Sequence, residues 1–195
     1  MKQVFTALAL TTAFVGAPVF AADTAEVGKP APAFTLKDES GKEHSLAEYK
    51  GKVVVLEWTN PECPFVQRHY EAKTMQDTVK GFDAKKVVWL AVDSSSTHSA
   101  QTASEWKKKE ALSYPVLLDT AGTVGKSYGA KTTPHMYVID EKGVVRYAGA
   151  IDDDPRGKNE TKTNYVKGAV DALLTGKQVP TATSQPYGCS VKYKG

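Results

Sequence analysis

Two sulfurs dominate the chemistry this chain could carry. Cys63 follows the apolar run Val53-Val54-Val55-Leu56-Glu57-Trp58 and the loop Thr59-Asn60-Pro61-Glu62. It opens Pro64-Phe65-Val66-Gln67-Arg68-His69-Tyr70, which reads as a helix start with Pro64 at the first helical position. A thiol between a buried strand and a helix N-terminus meets unpaired backbone N–H groups and the positive end of the helix dipole. Both favour thiolate, the nucleophilic form. The neighbouring Glu62 carboxylate works in the opposite direction. The only other cysteine is Cys189, near the C-terminus, so a single intramolecular pairing exists. Redox-active thiol, structural disulfide partner and inert free thiol are the three readings of Cys63. Cys189 reads equally as a resolving partner or as a staple.

The elements that must position these sulfurs alternate. A hairpin turning at Gly41 precedes a brief helical turn, Leu46 to Tyr49, capped by Ser45. Val53 to Trp58, Val87 to Val92, Tyr114 to Leu118, His135 to Asp140 and Val144 to Tyr147 read as strands. Helices are predicted from Pro64 to about Lys80, from Ser99 to Leu112, within Thr120 to Tyr128, and from Thr161 to Leu174. Continuous apolar strands separated by helices imply an α/β fold, a sheet covered on both faces. The terminal hairpin makes that sheet mixed. Lys177 to Gly195 shows little periodicity and is expected to run over the surface.

Lys2, the apolar stretch Val4 to Val15 and the small-residue site Val19-Phe20-Ala21 resemble a secretory signal peptide spanning residues 1–21. A domain over 22–176 and a tail over 177–195 carrying Cys189 follow. Export implies a periplasmic or secreted, disulfide-permissive location and no stable membrane insertion after cleavage. The net charge of +3 with interspersed signs gives no nucleic-acid footprint. A mature chain of this length needs no disulfide to bury a core, which gives redox chemistry weight over stapling.

Several segments together resemble the redoxin branch of the thioredoxin fold, the AhpC/TSA-like proteins that include peroxiredoxins and periplasmic thiol-disulfide oxidoreductases. They are Pro32-Ala33-Phe34-Thr35-Leu36, Gly51-Lys52-Val53-Val54-Val55-Leu56, Thr133-Pro134 and Asp140-Glu141-Lys142-Gly143. The segments Trp58 to Val66, Ile151-Asp152-Asp153 and Tyr187 to Lys192 are similar to a peroxiredoxin-like, secreted thioredoxin-family subgroup. The resemblance implies a thioredoxin-like fold, a cis Pro134 beside the active sulfur, and Thr133, Pro134, Trp58 and Thr59 as substrate-positioning residues.

Two departures bear on activity. Val66 stands where a thioredoxin carries its second cysteine. Thr59 lies four residues before Cys63, where a peroxiredoxin has threonine or serine three before. Arg68 and Arg146 are candidates for the peroxiredoxin arginine by composition alone.

Attack of Cys63 on a disulfide gives a mixed disulfide, and attack on a peroxide gives a sulfenic acid; each needs a second thiol, and Cys189 is the internal one. The expected function is thiol-disulfide exchange, with thiol peroxidase and a non-enzymatic binding module stapled by a disulfide as alternatives. The implied partners are protein or small-molecule disulfides, or peroxides, and a thiol reductant. No cofactor is expected. Cys63 with His69 or His135 lacks the second nearby cysteine that copper favours. His69 reads as a surface residue, His135 as structural, Asp152 and Asp153 as a solvated acidic turn, and Trp58 as packing under the Cys63 loop.

Overall fold

The computed structural model describes residues 24–195, so the signal-peptide segment lies outside the described residues. The elements in chain order are β1 (Thr35–Asp38), β2 (Glu43–Ser45), a 3-10 turn (Leu46–Tyr49), β3 (Val53–Trp58), α1 (Pro64–Glu71), α2 (Thr74–Lys80) and β4 (Val87–Asp93). Next come α3 (Ala100–Lys109), β5 (Val116–Leu118), α4 (Thr123–Tyr128), β6 (Thr132–Thr133), β7 (His135–Ile139), β8 (Val145–Gly149), α5 (Tyr165–Leu174) and β9 (Cys189–Ser190).

Seven strands form one mixed sheet in the order β2-β1-β5-β4-β3-β7-β8. The centre is parallel, β3 with β4 and β4 with β5, while β7 runs antiparallel to β3. All six residues of β3 are buried, as a central strand covered on both faces requires. Alternate β3 side chains feed two cores. Val53 and Val55 join Val66 and Tyr70 of α1, Trp106 of α3 and Val166, Ala169 and Val170 of α5. Val54, Leu56 and Trp58 join Phe34, Tyr128, Tyr137 and Ile139 on the other face.

Four expectations are corrected. The helix expected from Pro64 to Lys80 is two helices, because Lys73 takes a left-handed φ of 58° and breaks the backbone ladder. The helix expected over Ser99 to Leu112 ends at Lys109, and Ala111 has a positive φ of 51°. The last helix starts at Tyr165, where the Asn164 side chain caps it by accepting from the Lys167 N–H; residues 161–164 belong to the loop before it. The strand expected from Tyr114 is shortened to Val116–Leu118, while the short helix expected within Thr120 to Tyr128 is found at Thr123–Tyr128.

The tail does more than cross the surface. The Ala148 N–H donates to Ala182 O and the Ser184 N–H to Ala148 O, so the tail first runs along the β8 edge. It then forms β9, antiparallel to β6, with Thr132 opposite Ser190 and Thr133 opposite Cys189. The Val191 N–H donates to Lys131 O, the Tyr193 hydroxyl to Ala130 O, and the Ser96 N–H to Lys192 O. Among the described residues no helix is long and apolar enough to cross a membrane.

Candidate functional site

The loop that delivers Cys63 is built by Asn60. Its side-chain oxygen accepts from the Glu62 N–H at 2.7 Å and its carbonyl from the Cys63 N–H at 3.0 Å, an Asx-type turn. Its amide donates to Ser95 Oγ at 3.0 Å, which ties the turn to the segment after β4. Cys63 is the N-cap of α1 and Pro64 its first residue. The Cys63 side chain is 2% exposed.

The opposite wall is the loop before β7. The Thr133–Pro134 peptide bond is cis, as the resemblance implies. The protonated Cys63 thiol donates to Thr133 O at 3.0 Å. The β6–β9 pairing sets Cys189 opposite Thr133, and Cys189 packs against the same core cluster as Cys63, close enough for each thiol to shift the other's titration. Gly188 makes the approach possible: a Cβ there would lie 2.0 Å from Thr133 O, and its φ is +137°.

Burial works to raise the Cys63 pKa. Donors around the sulfur, the Cys189 thiol, the Thr133 hydroxyl and the Val66 and Cys189 N–H groups, favour its thiolate and outweigh burial, and the net shift is downward. Thr133 Oγ1 is buried with no hydrogen-bond partner among the described residues, so its proton is free to turn to a thiolate at Cys63. Cys189 moves the other way, up to about 11, through burial and then the Cys63 sulfur beside it. Between the two thiols, Cys63 ionises first and Cys189 keeps its proton. The Glu62 side chain is 79% exposed and turned toward His98, with 3.8 Å between Oε2 and Nε2. It therefore does not crowd the sulfur.

The remaining expected site residues are placed as follows. Trp58 is fully buried on the core face opposite Cys63, its Nε1 donating to Ser94 Oγ at 3.0 Å; the packing expected under the Cys63 loop is replaced by a cluster with Tyr128 and Tyr137. Thr59 is 1% exposed. His135 is buried against Tyr137, with its pKa drawn down to about 4 by burial. Arg146 pairs with Asp140 at 2.7 Å. Among the described residues no group of three or more His, Cys, Asp or Glu side chains could hold a metal ion.

Two expectations at the site fail. His69 is 2% exposed rather than a surface residue, and Asp152 is 1% exposed rather than solvated. Tyr187 of the tail explains both: its hydroxyl hydrogen-bonds to Asp152 Oδ1 and lies 3.0 Å from His69 Nε2. Lys162 approaches Asp152 at 3.7 Å and Arg68 lies 3.2 Å from His69. Burial brings the His69 pKa down to about 4, so the imidazole is neutral at pH 7. Helical spacing cannot reveal a cover supplied from more than a hundred residues away.

Glu57 is a third polar residue whose burial the sequence pattern does not reveal. It is 0% exposed in the middle of β3. Its carboxyl meets the Tyr70 hydroxyl at 2.7 Å and Trp89 Nε1 at 2.8 Å, and Tyr70 meets Tyr114 at 2.8 Å. Burial raises its pKa to about 7 against these bonds. The signal was a lone carboxylate in an otherwise apolar strand.

With this geometry in place the chain can be set beside known proteins. The sequence model of the AhpC/TSA family matches residues 27–148, and the chain belongs to that family. Thiol-disulfide oxidoreductase ResA of Bacillus thuringiensis is 32% identical over 120 residues, 62% of this chain and 67% of that protein. Chloroplastic peroxiredoxin Q of Suaeda salsa is 36% identical over 129 residues, 61% of this chain and 57% of that protein's length. A hypothetical protein of Sinorhizobium meliloti has a solved structure that superposes with a TM-score of 0.75 at 27% identity, covering 89% of this chain and 97% of its own. Solved thiol-disulfide proteins share the arrangement of sheet and helices, and the fold is thioredoxin-like.

Proposed function

We propose that this protein is an exported thiol-disulfide oxidoreductase in which Cys63 is the nucleophile and Cys189 the resolving thiol. The observation that carries the reading is that both cysteines converge on Thr133, Cys63 through its bond to the Thr133 carbonyl and Cys189 through the β6–β9 pairing, with Cys63 the more acidic. Similarity to ResA supports thiol-disulfide chemistry, and the signal-like residues 1–21 support export.

Cys63 thiolate attacks one sulfur of a substrate disulfide, forming a mixed disulfide and releasing the other sulfur as thiolate. Cys189 gives up its proton and attacks Cys63 Sγ. This forms the Cys63–Cys189 bond and frees the second substrate thiol. An external thiol reductant returns the pair to dithiol. Because Cys63 is 2% exposed beneath the tail, the tail lifts to admit substrate. Thr133 then presents its backbone and Pro134 its ring to the incoming chain. Trp58 and Thr59, both buried, act by positioning the turn that carries Cys63.

The test is trapping with a peptide disulfide. Cys189→Ser should accumulate a mixed disulfide on Cys63, and Cys63→Ser should form none. A variant lacking Cys63 that still exchanges disulfides contradicts the reading.

A second reading, a thiol peroxidase, is favoured by the similarity to peroxiredoxin Q. There Cys63 thiolate takes the terminal oxygen of a peroxide to become sulfenic acid, releasing water or an alcohol once a proton is supplied. Cys189 then condenses with it, releasing water. Rapid peroxide consumption by reduced protein, lost in Cys63→Ser, would select it.

A further inference from the structure

Beside the first turn of α1 opens a cleft of about 500 Å³, lined by Pro64, Phe65, Arg68, Pro155, Arg156 and Lys158. Its size is that of a small-ligand or side-chain site. Two prolines and a phenylalanine give it apolar walls; every charged residue lining it is a cation. It starts beside the thiol pair: Phe65 is two residues from Cys63, and its ring lies 6.2 Å from that of Tyr187, two residues before Cys189.

Of the nearby acids, Asp154 offsets part of the Arg68 charge, which leaves the three lining cations in excess. The Asp154 carboxylate is occupied by the N–H groups of Lys158 at 3.0 Å and Asn159 at 3.2 Å. Asp152 is buried beneath Tyr187, His69 and Lys162. Glu62 turns toward His98. Arg68 is fixed by its bond to Asp154 O at 3.1 Å, and Gly157 lies over it so closely that a Cβ would be 2.6 Å from Nη1. That Nη1 is buried without a hydrogen-bond partner among the described residues. Arg156 and Lys158 are exposed at the rim.

We infer that this cleft receives the carboxylates of an acidic peptide segment flanking the substrate's cystine. The inference rests on the proposed exchange reaction and adds its substrate class. The cations supply charge complementarity, the apolar walls take the aliphatic parts of Asp and Glu, and the adjacency to Cys63 aligns the bound flank with the attacking sulfur. Cys63 displaces one cysteine of the acidic peptide as thiolate, Cys189 releases the other, and dithiothreitol restores the dithiol.

The experiment compares two peptide disulfides of equal length, one flanked by Asp and Glu and one by Lys, using the mature reduced protein at low salt. The acidic peptide is expected to show a KM lower by on the order of tenfold at similar kcat. Arg156→Glu with Lys158→Glu should erase the preference while leaving turnover of a neutral dipyridyl disulfide unchanged. About 0.5 M salt should shrink it, since the Debye length then falls to a few ångströms. Equal KM values, or a preference that survives the double reversal, would overturn the inference while leaving the exchange reaction intact. Serine-substituted, unreactive peptides give an independent binding arm. Acidic-selective binding without turnover of any disulfide would support the cleft and sink the redox reading. Equal binding of inorganic phosphate and the acidic peptide, without charge-dependent alignment of KM, would mark a non-selective anion site and overturn the inference.

Discussion

Thr133 and Cys189 stand opposite each other in a two-residue antiparallel pair. The residue whose carbonyl accepts from Cys63 is thus the residue that seats the second thiol. The tail is fastened on both sides of this pair, by Tyr187 on Asp152 and by Tyr193 on Ala130. Tyr193 also packs where Cβ atoms on Gly122 and Gly125 would lie 2.6 and 2.5 Å from its ring carbon and hydroxyl.

Gly188→Ala should unseat that pair. The added Cβ meets Thr133 O at 2.0 Å in a left-handed conformation, and a local penalty on the order of 2 kcal/mol is expected. Hydrogen exchange at the Val191 amide, which donates to Lys131 O, should accelerate, and Cys189 should alkylate faster. Unchanged protection would mean the tail is not seated through Gly188.

Alkylation of Cys63 against pH should reach half-reaction below the free-thiol value of about 8.5. Cys189→Ala and Thr133→Val each remove a donor to the sulfur and should move the midpoint upward. A midpoint that ignores both substitutions would contradict the donor set described above.

His69 should make the fold acid-sensitive. Its folded pKa, about 4, lies below the unfolded value near 6.5. The unfolded chain therefore binds more protons between those values, and stability is lost as pH falls from about 6.5 toward 4. His135, also near 4, adds to the same slope. Tyr187→Phe, which leaves Asp152 Oδ1 without its tail donor, should cost about 1–3 kcal/mol in denaturant titrations.

Glu57 should tilt stability the other way. Its folded pKa of about 7 exceeds the unfolded 4.5. Its contribution is whole below pH 4.5 and is lost as pH rises to 7, by roughly 3 kcal/mol. When protonated, Glu57 can donate to Tyr70 and Tyr70 to Tyr114; when ionised, the chain of donors reverses. Glu57→Gln should remove this opposing slope and steepen the net loss of stability on acidification. Identical pH profiles for the variant and the natural protein would contradict a buried, late-titrating carboxyl.

The sheet was legible because its strands are short apolar runs bounded by turns, as in Val53–Trp58, and α5 because its apolar residues recur at helical spacing. The Cys63 turn was legible from Asn60, Pro61 and Pro64. What escaped depends on distant partners. His69 and Asp152 are polar by type and are buried only because Tyr187 arrives from the tail. The break at Lys73 escaped because lysine carries no local preference for a left-handed turn. The seat for Cys189 depends on Gly188 meeting Thr133, a contact that spacing does not encode.

The most direct measurement is a mass-spectrometric thiol count across graded glutathione redox buffers. A Cys63–Cys189 linked peptide should form and disappear reversibly, with a midpoint above about −300 mV, the region below which structural bonds resist reduction. A linkage that never forms, or one that persists throughout in the folded protein, would contradict a resolving role for the tail thiol.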